Sequence, residues 1–215
     1  MTEQTFTPAL GRFGLPRLYD PVIALTRERL WRSMLAMHAA VRPGDVVVDV
    51  GCGTGSLALL LHRVEPDARV IGVDPDPEML AIARRKAGAG AVEWRTATGD
   101  ALADVVAPGT VDTVVSSLVL HQCPVPMKRA ILVAMLEALR PGGRLVIADF
   151  GRQRTPAMRL AFRLVQLADG RENTRFNADG ALPGLIAGVG FRRVRETGSV
   201  STVNGSISIY TARRA

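Results

Sequence analysis

Residues 46–55 read Val46-Val47-Val48-Asp49-Val50-Gly51-Cys52-Gly53-Thr54-Gly55, an apolar run that breaks into a turn with glycine at every second position. Consecutive β-branched residues of this kind suit a strand buried on both faces of a parallel sheet. Glycines at 51, 53 and 55 let the backbone turn sharply and come close to a ligand with no Cβ in the way. Ser56 to Val64 reads as the helix that follows, and its first free N–H groups favour a carboxylate or phosphate. A tight turn alone would explain one glycine; three in alternation point to a binding loop. In an open α/β sheet such a loop lies at the carboxyl ends of the strands, where ligands bind.

Working outward, short β-branched runs alternate with longer helical ones, the pattern of a parallel sheet covered by helices. Pro21 to Ala40 reads as a helix, with Val22, Leu25, Leu30 and Met34 on one face. Further strands are expected at Arg69–Val73, Val92–Thr96, Val111–Leu118 and Arg144–Asp149, and helices at Glu78–Ala87 and Lys128–Leu139. Arg140-Pro141-Gly142-Gly143 stops the last of these, because proline cannot continue a helix and glycine supplies the turn. Pro156–Ala168 reads as another helix, capped by Thr155 with proline at its first position. Asn204-Gly205 between two alternating runs, Phe191–Val203 and Ser206–Thr211, predicts an antiparallel hairpin whose two central residues take positive φ.

A second binding feature ends the second strand. Ile71-Gly72-Val73-Asp74 puts a carboxylate at the tip of the neighbouring strand, placed to accept hydrogen bonds from a ribose; a solvent-facing aspartate is the plain alternative. Both features also suit a nicotinamide dinucleotide. That fingerprint needs glycine where Ser56 stands, however, and the expected hairpin departs from an all-parallel dinucleotide domain. An NAD(P)-dependent oxidoreductase stays open as an alternative.

The bulk properties set bounds. A chain of 215 residues with 47% apolar and 22% charged residues suits one soluble domain. No apolar run reaches the roughly 18 residues that span a bilayer, and the polar start, Met1 to Leu10, carries no export pattern. Cys52 and Cys123 are too few for a disulfide framework, so a cytoplasmic location is expected. The net charge of +7 is placed unevenly: from Arg140 onward, 13 basic residues face 5 acidic ones. The excess is either a set of solvated arginines or an attraction to an anionic substrate or surface. No aromatic-rich basic stretch or nucleic-acid module accompanies it, so no nucleic acid is expected. No cluster of histidine and acidic residues suggests a metal.

The chain resembles class I, Rossmann-like S-adenosylmethionine-dependent methyltransferases of the small-molecule type, over nearly its whole length. Five stretches carry the likeness, in order: residues 49–55, Asp74, Thr98-Gly99-Asp100-Ala101, Asp112 to Leu118, and Leu139 to Leu145. The resemblance implies an α/β, three-layer fold with a mostly parallel seven-stranded sheet ending in an antiparallel hairpin and helices on both faces. It implies a single domain over 1–215, with an N-terminal helical cap (1–42), a cofactor-binding core (43–150), substrate-side helices (151–190) and a terminal hairpin (191–215). S-adenosylmethionine would lie against Gly51, Cys52, Gly53, Thr54 and Gly55, with Asp49 helping to hold its amine. Asp74, Pro75 and Met79 would serve the ribose side, and Gly99, Asp100 and Ala101 the adenine. Ser116 and Ser117 would border the site, and Tyr19 would close over it.

Methyl transfer needs alignment of the acceptor and exclusion of water more than a catalytic side chain. An acceptor that starts protonated also needs a base, and His121, after the fourth strand, is the candidate; a structural hydrogen-bonding role is the alternative. His121, Phe162, Arg175 and Phe176 are the candidate acceptor contacts. The expected acceptor is a small molecule, anionic or apolar, since no Asn-Pro-Pro-Tyr-like stretch follows the fourth strand to suggest base amines. A non-catalytic cofactor-binding protein remains a second alternative. The oligomeric state stays open between monomer and homodimer.

Overall fold

The computed structural model describes residues 27–88, 90 and 92–215. Its helices are α1 (Glu28–Ala39), α2 (Ser56–Val64), α3 (Pro77–Ala87), α4 (Val125–Ala138), α5 (Pro156–Asp169), α6 (Arg171–Ala178) and α7 (Leu182–Val189). Its strands are β1 (Val46–Val50), β2 (Arg69–Asp74), β3 (Glu93–Thr96), β4 (Val111–Ser117), β5 (Leu139–Phe150), β6 (Arg192–Thr202) and β7 (Gly205–Arg213). They form one seven-stranded sheet in the order β3-β2-β1-β4-β5-β7-β6. The first five strands run parallel, and β7 runs antiparallel to both β5 and β6.

Alternation along β1 builds the two cores. Val48 and Val50 face the cluster made with α4 and α7, while Val47 faces the one made with α1, α2 and α5. Successive side chains of a strand point to opposite faces, so Asp49 falls on the side of Val47. Helices therefore cover both faces, as expected. The strand order reverses between β1 and β4, and that switch point opens a crevice at the carboxyl ends.

Three local expectations are corrected. The fourth helix starts at Val125, because Pro126 fits its first turn, where no N–H bond is needed. Strand β5 starts at Leu139, paired with Val111, so Arg140-Pro141-Gly142-Gly143 is an irregular stretch of strand. The hairpin turn is Val203-Asn204, since Thr202 already pairs with Gly205. There the Thr202 hydroxyl donates to the Gly205 carbonyl (2.7 Å) and accepts from the Asn204 N–H (3.2 Å). That bracing fixes the turn, and of residues 203–205 only Gly205 takes a positive φ, 122°. The Thr155 cap holds as expected, its hydroxyl accepting from the Met158 N–H at 3.1 Å. Among the described residues no helix is long and apolar enough to cross a membrane.

Candidate active site

The crevice at the β1/β4 switch point is lined by Gly51 and Gly53 from the glycine loop, Asp74 and Pro75 after β2, and Gly99 and Asp100 after β3. The loop is tied to β2: the Gly51 and Cys52 N–H groups both donate to the Val73 carbonyl, at 2.8 and 3.0 Å. Asp74 completes the tie. Its Oδ2 accepts from the Gly53 N–H at 2.8 Å and its Oδ1 from the Asp76 N–H at 2.9 Å. Each oxygen keeps a lone pair for a ligand hydroxyl. Burial raises the Asp74 pKa, while those two backbone donors pull it back down.

Not every residue of the glycine loop faces the crevice. Gly51 takes φ 70°, and a Cβ there would lie 2.3 Å from Val119 Cγ2, so glycine keeps the crevice wall in place. Gly55 takes φ 77°, and a Cβ there would lie 2.3 Å from the Trp94 ring. The third glycine thus serves the packing of Trp94. Thr54 accepts from the Lys86 ammonium at 2.8 Å, and Cys52 lies 3.0 Å from where a Gly72 Cβ would be. These three expected cofactor contacts do not line the crevice, and neither do Ala101, Ser116 and Ser117. The Ser116 hydroxyl is spent on the Val50 carbonyl at 2.8 Å. Tyr19 lies outside the described residues.

Asp49 is the odd member of β1. It is fully buried and is not among the residues lining the crevice; neither carboxylate oxygen makes a well-formed hydrogen bond among the described residues, although the Ala58 N–H and the Arg32 guanidinium both act on it. Burial pushes its pKa up to about 7, partly offset by the nearby Arg32 guanidinium. A buried carboxylate without a well-formed hydrogen bond is costly and asks for a cation or strong donor. Beneath a glycine loop that leaves no Cβ in the way, with a second carboxylate at Asp74, the donor set fits the ammonium and hydroxyls of S-adenosylmethionine.

Sequence reasoning missed the far wall. Leu118, Val119, Gln122 and Cys123 follow β4, and Met127 and Ile131 come from α4. Leu118 turns the chain with φ 56°, a conformation seldom taken by a bulky residue. Asp149, buried at the end of β5, holds this segment in place. Its Oδ2 accepts from the Leu120 and His121 N–H groups at 2.7 and 3.3 Å, and its Oδ1 from the Phe150 N–H at 2.7 Å. Lys128, also buried, donates to the Leu120 and Asn173 carbonyls and stands 5.8 Å from the Phe176 ring. Of these far-wall groups only Leu118 falls in a stretch that carries the likeness, as does Thr98, which also lines the crevice.

His121 sits within this scaffold and not on the crevice wall. Its Nδ1 lies 2.7 Å from Asp149 Oδ1, its Nε2 lies 3.3 Å from Asp169 Oδ2, and Phe150 packs edge-on at 4.9 Å. Burial opposes a charge here, but the two carboxylates override it and raise the pKa to about 9. Both ring nitrogens face carboxylates, an arrangement that favours the imidazolium form and turns neither nitrogen toward the crevice.

The other expected acceptor contacts scatter. Phe162 is buried against Phe150 with centroids 5.0 Å apart. Arg175 is on the surface, paired with Asp179 at 3.4 Å. Phe176 covers Lys128. None of the three lines the crevice. Cys52 and Cys123 are free thiols, as expected, and no metal-holding group of three or more His, Cys, Asp or Glu exists among the described residues.

Residues 47–143 match the methyltransferase domain family. The chain is 34% identical to the demethylmenaquinone methyltransferase of Thermus thermophilus over 147 residues, covering 68% of this chain and 66% of that protein. It is 33% identical to the Deinococcus radiodurans protein of the same name over 162 residues, covering 75% and 65%. The matches thus span just under two thirds of these relatives' own lengths. A solved structure of magnesium protoporphyrin IX methyltransferase from Synechocystis with bound S-adenosylhomocysteine superposes with a TM-score of 0.69 at 24% identity, over 96% of this chain and 91% of that one.

Proposed function

The chain belongs to the class I S-adenosylmethionine-dependent methyltransferases, and we propose that it transfers the cofactor's methyl group to a ring carbon of an apolar, quinol-type small molecule. The observation that carries the cofactor half is the pair of carboxylates at the glycine loop, Asp74 with lone pairs to spare and Asp49 buried without a well-formed hydrogen bond. The acceptor half is supported by the demethylmenaquinone methyltransferases among its relatives and by the apolar side chains of the crevice's far wall.

When bound, S-adenosylmethionine would supply a methyl group on a sulfonium that leaves as a neutral thioether, and the ring carbon that takes up the methyl would shed its proton to solvent as the ring becomes aromatic again. Asp74 accepts hydrogen bonds from the ribose hydroxyls, Asp49 offsets the ammonium, and Asp100 meets the adenine amine. Leu118, Val119 and Met127 exclude water and hold the acceptor ring against the reacting carbon, which is where proximity contributes most to rate. His121 acts as a positioning residue: through Asp149 it fixes the 118–123 segment. Residues 43–150 then form the cofactor core, 151–190 the acceptor-side helices and 191–215 the closing hairpin of one domain.

The test has two stages. Calorimetry should give micromolar S-adenosylhomocysteine binding, weakened at least tenfold, about 1.4 kcal/mol, by Asp74→Ala. Incubation with S-adenosylmethionine and a short-chain demethylmenaquinol should then add one methyl group by mass spectrometry. Binding without transfer to quinols or other small acceptors would favour a non-catalytic binding protein. Affinity for NAD(P) in place of S-adenosylhomocysteine would sink the proposal at its root.

A further inference from the structure

Helix α5 buries one face against the sheet, through Phe162 and Val165, and leaves the opposite face bare. Leu160, Leu164 and Leu167 are 63%, 65% and 82% exposed. Their i, i+4, i+7 spacing puts them in one stripe. Single exposed apolar residues are ordinary, but a contiguous patch rimmed by charge marks an interaction site.

The rim is basic. Arg159 and Arg163, one turn apart, flank the stripe. Arg159 also lines a separate cavity of about 480 Å³, together with Arg152, Arg154, Glu196 and Tyr210. In that cavity Glu196 is already neutralised, paired with Arg154 at 2.6 Å and accepting from the Ser208 hydroxyl at 3.0 Å. The remaining guanidinium charges have no carboxylate partner among the described residues. Arginine forks suit phosphate oxygens, often in bidentate geometry. The single carboxylate of α5, Asp169, is turned inward to His121. This cavity shares no lining residue with the cofactor crevice.

We propose that the exposed face of α5 docks on an anionic lipid bilayer, its leucines entering the headgroup boundary while the Arg152/Arg154/Arg159 cavity takes a lipid phosphate. An apolar stripe with arginines along its edge and no exposed acid is the pattern of an in-plane interfacial helix. With 14 residues, at about 1.5 Å each, α5 is too short to span a bilayer, so it lies along the surface. The docking is independent of which acceptor is methylated.

The test is co-sedimentation of the full chain with vesicles of phosphatidylcholine alone and of equal parts phosphatidylcholine and phosphatidylglycerol. The wild type should bind the anionic vesicles, bind the neutral ones less, and release as salt rises. The combined Leu160→Ser, Leu164→Ser, Leu167→Ser variant and the Arg159→Glu, Arg163→Glu variant should each bind at least tenfold more weakly, with S-adenosylhomocysteine binding unchanged. No wild-type binding to anionic vesicles, or equal binding by the leucine variant, would overturn the proposal. So would a wild-type dimer, not recruited to vesicles, that the leucine variant splits, since a second copy would then own this face. A several-degree drop in Tm in the leucine variant, again without vesicle binding, would assign the face to the chain's own residues 1–26 and overturn it as well.

Discussion

Replacing His121 with glutamine should flatten a specific part of the protein's stability-against-pH curve. In the folded chain the ring lies between Asp149 and Asp169, and its pKa rises from 6.5 to about 9. The native state therefore holds this proton more tightly than the unfolded chain does. The resulting stabilisation is complete below about pH 6.5, fades as pH climbs, and is gone once pH passes about 9. At about 1.36 kcal/mol per pKa unit, the shift corresponds to about 3 kcal/mol. Urea unfolding near pH 6 and again near pH 9.5 would read it. The wild type should lose about 3 kcal/mol more than His121→Gln between those two points. Other groups that titrate in this window are common to both proteins and cancel in the difference. NMR titration of the ring should give a midpoint well above 8. Parallel pH dependence in the two proteins, or a midpoint near 6.5, would refute the two-carboxylate clamp.

Three further perturbations probe other parts of the site. Asp49→Asn removes a buried carboxylate whose pKa is pushed up to about 7; because that raised value makes ionisation destabilising above about pH 4, the ligand-free variant should gain up to about 4 kcal/mol at pH 8 while binding S-adenosylhomocysteine more weakly. An unchanged melting temperature would count against a poorly paired carboxylate. Gly51→Ala adds a methyl group 2.3 Å from Val119 Cγ2 at φ 70°, and should cost about 1–3 kcal/mol of stability and more than tenfold in cofactor affinity by calorimetry. Thr155→Ala removes the α5 cap and should lower stability in urea by about 1 kcal/mol, leaving cofactor binding as it was.

What the sequence made legible was local chemistry. Residues 46–55 announce strand, turn and helix because β-branched runs and alternating glycines have few other uses, and Asp74 follows from its place at a strand end. In the same loop, Lys86 from α3 hydrogen-bonds the Thr54 hydroxyl and Trp94 from β3 packs against Gly55, neighbours that the one-dimensional pattern does not show. The far wall was hidden because its shape depends on partners distant in the chain. Asp149 holds Leu120 and His121 across 29 and 28 residues, and Lys128 reaches Asn173 across 45. Nothing near Lys128 distinguishes it from a solvated helix lysine. For His121, a second carboxylate, Asp169, helps raise the ring's pKa to about 9, and only the packing of α5 reveals it.

The order of the sheet also bears on how the chain must assemble. Strand β7 lies between β5 and β6, so β5 gains its second neighbour only when Phe150 meets Ile207. Until that late segment arrives, the apolar run Leu145 to Phe150 presents an unpaired strand edge, the kind of surface on which nascent chains aggregate. Loss of a few residues from β7 would therefore act on solubility and yield long before it touched the distant cofactor crevice.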